Sequence, residues 1–214
     1  LNLYQEGLNV NSVIFYRYGL ATTILALIML AQKKSFAITR REFAVLSVLG
    51  VLMVVSSLTL FGSFNFMDAG IASTLLFVYP VMVAVMMAIF FKEKVTPITV
   101  ISIALALGGI SLLYKGGDGA TLSTVGVLLV MASSLTYAVY IIVVNKSALI
   151  MSSVKLTFYV LLIGTMILIA YSFVGEDTRI QPLTTVSMWV YAMVLAVFPT
   201  IISLILMVIA VHNV

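Results

Sequence analysis

Cysteine is absent from the 214 residues, which excludes disulfides, thiolate metal sites and thiol nucleophiles. Histidine occurs once, at His212, and without a second ligand it reads as a boundary residue rather than a metal site. Charge is scarce: Asp, Glu, Lys and Arg make up 8% of the chain, against about a quarter of a soluble domain. No acidic residue stands inside an apolar run. Glu6, Glu42, Asp68, Glu93, Asp118, Glu176 and Asp177 all fall in loops or at run edges, so the sequence offers no carboxylate relay for protons across a membrane. The eleven basic residues are scattered singly or in pairs, not gathered on one face with aromatics, and a nucleic-acid partner is excluded on that pattern.

What the chain has is oil, with 63% of its residues hydrophobic. A soluble fold of this length needs a polar coat, and there are too few charged side chains to build one. The solvent is therefore lipid. A hydrocarbon core of ~30 Å takes roughly 20 helical residues. Seven apolar runs of about that length appear, at Val13–Ala31, Phe43–Met67, Ile71–Phe91, Ile98–Tyr114, Val125–Val144, Leu156–Val174 and Met188–Val211. They are continuous rather than alternating, which favours helices over barrel strands. The expected fold is an all-α, polytopic membrane protein of seven visible transmembrane helices, joined by loops too short to form a separate domain.

Lys and Arg in the loops set the orientation. Lys33, Lys34, Arg40, Arg41, Lys92, Lys94, Lys146 and Lys155 fall on one side, and Lys115 and Arg179 on the other. The first side is read as cytoplasmic, with the visible N-terminus outside and the chain a multi-pass protein of the inner (plasma) membrane. Asn145-Lys146-Ser147 fits a glycosylation pattern, but on this topology it faces the cytoplasm, where no glycan is added. Lys115-Gly116-Gly117-Asp118-Gly119 lacks the ending of a phosphate loop and reads as an external turn.

An internal similarity links NSVIFYRYGLATTILALIML, from Asn11, with SSVKLTFYVLLIGTMILIAY, from Ser152. Ser56 and Thr59 pair in the same way with Thr200 and Ser203. Five spans separate each pair, and an odd number turns the second copy upside down. Inverted repeats of this kind are a common architecture of secondary transporters, with the solute site at the midplane.

The chain also resembles a known family. FYRYGLAT (Phe15 to Thr22), GSFNFMDAGIASTLLFVYPVMVAVMMAIFFKEKVTP (Gly62 to Pro97), ALALGGISLLY (Ala104 to Tyr114) and VGVLLVMASSLTYAVYIIVVNK (Val125 to Lys146) are similar to the EamA family of the drug/metabolite transporter superfamily. That resemblance implies ten helices in two inverted five-helix halves. The chain would then hold helices two to eight: residues 1–115 as a first repeat without its first helix, and 116–214 as a second repeat without its last two. The apolar ends at Leu1 and Val214 read as cut.

Candidate solute contacts form polar stripes at helical spacing. Ser56, Thr59 and Ser63 make one, Ser133, Thr136, Tyr137 and Tyr140 a second, and Thr200 with Ser203 a third. Hydroxyls can exchange hydrogen bonds with a small polar solute, but they also glue helices together or bond their own i−4 carbonyls. Pro80 and Pro199 each remove a helical hydrogen bond and free the carbonyls of Leu76 and Leu195, giving either a gating hinge or a static kink. Arg17 lies little more than a turn inside its span. It can snorkel outward, or serve as an external gate or anionic-solute contact, and the resemblance implies a basic residue there. Glu93, just past an apolar run, holds a position of the family motif, which implies a junction role. Ala104, Gly108 and Ser111 form a small-residue stripe suited to close packing, within the bundle or in a homodimer.

The function expected is a secondary transporter, a permease or exporter of a small organic metabolite working by alternating access, with lipid and solute as partners and no cofactor. A seven-helix receptor or sensor is the alternative, although the last run has no lysine for a retinal Schiff base. An enzyme would want a serine with a base, paired carboxylates or a metal cluster inside the spans, and none is placed there.

Overall fold

The computed structural model describes residues 7–93, 97, 100, 101, 104, 105, 108, 109, 123–147, 149 and 151–212. Among them every regular element is helical: α1 (Val10–Ala31), α2 (Arg40–Ser63), α3 (Ala69–Leu76), α4 (Tyr79–Phe91), α5 (Thr124–Lys146), α6 (Ser153–Tyr171), a 3₁₀ turn (Glu176–Thr178), α7 (Val186–Ala196), a π-helical turn (Val197–Ile202) and α8 (Ser203–His212). Six stretches are long and apolar enough to cross a membrane: α1, α2, α3 with α4, α5, α6, and Val186–Ala210. The span expected over Ile98–Tyr114 falls mostly outside the described residues, as do Ser111 and the turn Lys115–Gly119.

The helices begin earlier than the apolar runs suggest because their first turns are polar and capped. Asn9 accepts from Ser12 N at 2.8 Å, Ser152 from Lys155 N at 3.4 Å, and Thr185 from Met188 N at 3.3 Å. At α2 the cap is reciprocal: Glu42 N donates to Thr39 Oγ1 at 3.2 Å, and Thr39 N donates to Glu42 Oε2 at 2.7 Å. The run expected as one span over Ile71–Phe91 is broken at Phe77–Val78, and the π turn interrupts the last span around Pro199.

Two compact units divide the chain. The first comprises residues 1–54 and 143–214. Its core is the packing of α1 against α6 and α7. Ile14, Tyr18, Ala21, Leu25 and Met29 repeat every three or four residues and are buried, as are Leu161 and Leu168 of α6. Two glycines let backbones approach closely: a Cβ on Gly50 would stand 2.8 Å from Ile163 Cγ2, and one on Gly164 would stand 3.0 Å from the Tyr18 ring. Tyr18 closes the contact by donating its hydroxyl to Met53 O at 3.1 Å.

Helices α1 and α6 run antiparallel, and each ties down the loop that leaves the other. At the start of α1, Asn9 Nδ2 donates to the carbonyls of Asp177 and Arg179 at 2.9 and 2.7 Å, Asn11 Nδ2 to Thr178 O at 2.6 Å, and Tyr16 Oη to Gln181 O at 3.0 Å. At the start of α6, Lys155 Nζ donates to Ala37 O at 2.6 Å, and Tyr159 Oη donates to Phe36 O. Both tyrosines follow a phenylalanine and sit seven residues past the cap. The local equivalence therefore pairs Asn9 with Ser152, Phe15 with Phe158 and Tyr16 with Tyr159. It lies two residues away from the register that the Ser-Val dipeptides suggest, because the cap and the tyrosine, not the dipeptide, do the structural work.

The second unit comprises residues 55–142. Ala72, Leu75 and Val130 form its buried centre, with Leu60, Phe64, Met67 and Ile71 packed around them. On the outside, Leu27, Leu30, Ile89, Phe90 and Leu206 present exposed apolar surface, the coat expected of helices whose solvent is hydrocarbon.

Candidate functional site

The first unit brings together three residues that the sequence offers from distant positions. Pro199 has no N–H, so Leu195 O loses its helical partner. Thr200 Oγ1 supplies the missing proton at 2.8 Å, and the π turn widens the helix at that point. The threonine's one proton is thereby used, so toward any other donor it acts as an acceptor. Arg17 Nε donates to it at 2.5 Å. Thr200 is fully buried and stands past the midpoint of the 25-residue span Val186–Ala210. The Arg17 side chain therefore turns inward rather than snorkelling to the near end, and its guanidinium carbon lies 5.8 Å from the Tyr18 ring centroid. Ser203, expected beside Thr200 on one stripe, is exposed, as is Pro199.

In the second unit the hydroxyl stripes are engaged by protein. Ser133 Oγ donates to Ser56 O at 2.7 Å, and Ser56 Oγ lies 3.1 Å from both Ser133 O and Ser133 Oγ, a reciprocal clasp between α2 and α5. Thr59 bonds the carbonyls of Val55 and Ser56, Thr136 those of Ala132 and Ser133, and Ser63 that of Leu60. Tyr137 stacks on Tyr140 with centroids 5.8 Å apart and meets Tyr79 edge-on at 5.0 Å. At the other proline, Pro80 is the second residue of α4, and the carbonyl it frees, Leu76 O, accepts from Ser134 Oγ at 3.3 Å. Each proline-freed carbonyl thus has a hydroxyl partner.

Glu93 is exposed just beyond α4, and its N–H closes the helix by donating to Met87 O at 3.3 Å while Lys92 takes a left-handed conformation with φ +55°. The backbone of this position takes part in the helix stop.

Comparison with known proteins decides the family. The EamA-like transporter family matches residues 2–115 and 124–214. The chain belongs to the EamA-like transporter family. A relative from Bacillus subtilis (strain 168), the uncharacterized transporter YvbV, is 26% identical over 113 residues, which is 53% of this chain and 37% of that protein. The match spans little more than a third of that relative's length. A solved crystal structure superposes with a TM-score of 0.72 at 14% identity, covering 96% of this chain and 71% of the other, and shares the fold. This EamA-like chain is accordingly a multi-pass membrane protein of a transporter family.

Four contributors were not singled out from sequence. Ser134 lies next to Ser133, and its role depends on α5 crossing the break at Phe77, a tertiary fact. Asn9, Asn11 and Gln181 look like ordinary polar loop residues until the fold joins them across more than 150 positions. For Thr200 a signal did exist, since a hydroxyl one residue after a mid-span proline is well placed to recapture the freed carbonyl.

Proposed function

We propose that this chain forms the membrane body of a secondary carrier, a permease or exporter that moves a small organic metabolite across the inner (plasma) membrane by alternating access, with the visible N-terminus outside. Residues 1–115 and 116–214 would be inverted halves of that carrier. The similar construction of α1 and α6, each with a polar cap and a Phe-Tyr pair seven residues on, supports this division.

The observation that carries the reading is the chain from Arg17 to Thr200 to Leu195 O at the broken helix. A buried polar group at a π turn can trade one hydrogen bond for another with little net change in free energy, which suits it both to meeting a polar solute and to changing helix geometry. The Ser56 and Ser133 clasp and the self-bonded Thr59, Ser63 and Thr136 hold the bundle together on this view, and Thr200, Arg17 and Ser203 meet the solute.

The test is flux into vesicles holding the full-length protein. Thr200→Val with Ser203→Ala should reduce uptake and efflux at least tenfold, equivalent to about 1.4 kcal/mol, while leaving the unfolding transition in place. Unchanged flux in both directions would refute the placement.

A further inference from the structure

The connection from α1 to α2 concentrates positive charge: Lys33 and Lys34 stand at its start, and Arg40 and Arg41 open α2 at its end. Both placements run against local backbone preference. Lys33 closes α1 in a left-handed conformation, φ +51°, where glycine is usual, and Lys34 N donates back to Met29 O at 2.9 Å. Arg40 and Arg41 occupy the first turn of α2, where the helix dipole disfavours cations. Orientation in the membrane depends on how many Lys and Arg a loop holds, so the same cations elsewhere in residues 32–39 would serve it without these costs. Charges kept where the helix ends prefer other residues point to a binding role. We propose that this end of the first unit is a site for the phosphodiester headgroup of an anionic phospholipid in the adjoining leaflet. The proposal is independent of the carrier reading.

The connection is held in place by α6. Lys155 Nζ donates to Ala37 O at 2.6 Å, Tyr159 Oη donates to Phe36 O, and the Phe36 ring meets Phe158 edge-on with centroids 5.5 Å apart. Lys155 thereby adds a fifth cation to the same end, and its ammonium has two further protons to give. Lys33, Arg40 and Arg41 are exposed and Lys34 is half-buried. Among the described residues these four side chains enter no ion pair. The carboxylate of the same turn, Glu42, faces its cap, accepting from Thr39 N and Thr39 Oγ1 at 2.7 and 2.9 Å. Guanidinium forks and ammonium groups bind phosphate oxygens, and the amino end of α2 adds positive potential of its own. Exposed apolar side chains adjoin the charges, Leu27 and Leu30 on α1 and Phe43 on α2, and offer a surface to acyl chains. A free phosphate would leave that surface unused. The other end of the α1 and α6 pair carries Glu176 and Asp177 against one cation, Arg179, whose Nη2 lies 3.7 Å from Glu176 Oε1. Basic clusters at the membrane boundary attract anionic lipid, and only one end of this unit has one.

The experiment uses purified full-length protein in dodecyl maltoside micelles doped with phosphatidylglycerol or with phosphatidylcholine of the same acyl chains. Micelles have no sidedness, so orientation does not enter. Phosphatidylglycerol should raise the unfolding temperature more than phosphatidylcholine and leave more bound lipid in native mass spectra. Lys33→Gln with Lys34→Gln, and Arg40→Gln with Arg41→Gln, should each weaken phosphatidylglycerol binding about tenfold or more, and the fourfold variant should abolish the preference. Arg179→Gln should leave it unchanged. Equal effects of the two lipids, a preference that survives in the fourfold variant, or a loss in Arg179→Gln as large as in the α2 pair would each overturn the proposal. Should the fourfold variant fail to fold, the two paired variants decide: wild-type binding in both overturns it. Glycerol phosphate matching the effect of phosphatidylglycerol at equal concentration would assign the site to a free phosphate and overturn the lipid assignment.

Discussion

Removing the clasp between Ser56 and Ser133 tests whether these hydroxyls are structure or pathway. Ser133 has one proton and gives it to Ser56 O at 2.7 Å; Ser56 gives its own to Ser133 O or Oγ, both at 3.1 Å. Each carbonyl keeps its helical N–H partner when the opposing side chain is deleted, so no backbone group is left wholly unsatisfied. Hydrogen bonds between helices in membranes average about 0.6 kcal/mol and reach about 1.7 kcal/mol. Ser56→Ala and Ser133→Ala should therefore each cost about 0.6 kcal/mol, with the shorter bond putting Ser133 at the upper side. The double variant should lose about 1.2 kcal/mol, with a coupling below about 0.6 kcal/mol, because only the Oγ···Oγ contact is shared. Equilibrium unfolding in mixed micelles, followed by circular dichroism, measures all four species. Unchanged stability together with lost flux in either single variant would refute the structural assignment and return both serines to the solute path.

Two further outcomes follow from the first unit. Gly164→Ala puts a methyl 3.0 Å from the Tyr18 ring and 3.2 Å from Val54 Cγ2, and should destabilise the protein by about 1 to 3 kcal/mol in the same unfolding assay; a neutral result would mean that α1 and α6 have room to separate. Asn9→Ala removes a cap and two carbonyl contacts together, and should cost about 1 to 2 kcal/mol and speed proteolysis between Gly175 and Gln181; unchanged cleavage would show that the loop is held without it.

Much of the fold is legible in the chain because hydrocarbon imposes one dominant constraint, and runs such as Phe43–Met67 or Val125–Val144 satisfy it almost alone. The helix starts are displaced because caps such as Thr39 and Ser152 are polar, and an apolar-run criterion discards them. The prolines announce the breaks at Phe77–Val78 and Val197–Ile202, but not what becomes of the freed carbonyls. Pro80 is answered by Ser134 from another helix, and Pro199 by the residue that follows it. The hydroxyl stripes show the limit of spacing: Ser56, Thr59 and Ser63 share a face, yet the pattern does not say whether that face meets water, solute or another helix. Arg17 was legible as an anomaly of charge, while its inward turn to Thr200 depends on two helices meeting across more than 180 positions.

The crossed tethering of α1 and α6 constrains how such a protein can move. With the loop after each helix fastened to the beginning of the other, sliding or splaying either one would tear several polar contacts at both extremities simultaneously. The pair is thus braced at both extremities. Whatever rearrangement this unit undergoes is directed to the widened turn at Val197–Ile202, where the register is already loose and a hydroxyl stands ready to change partners.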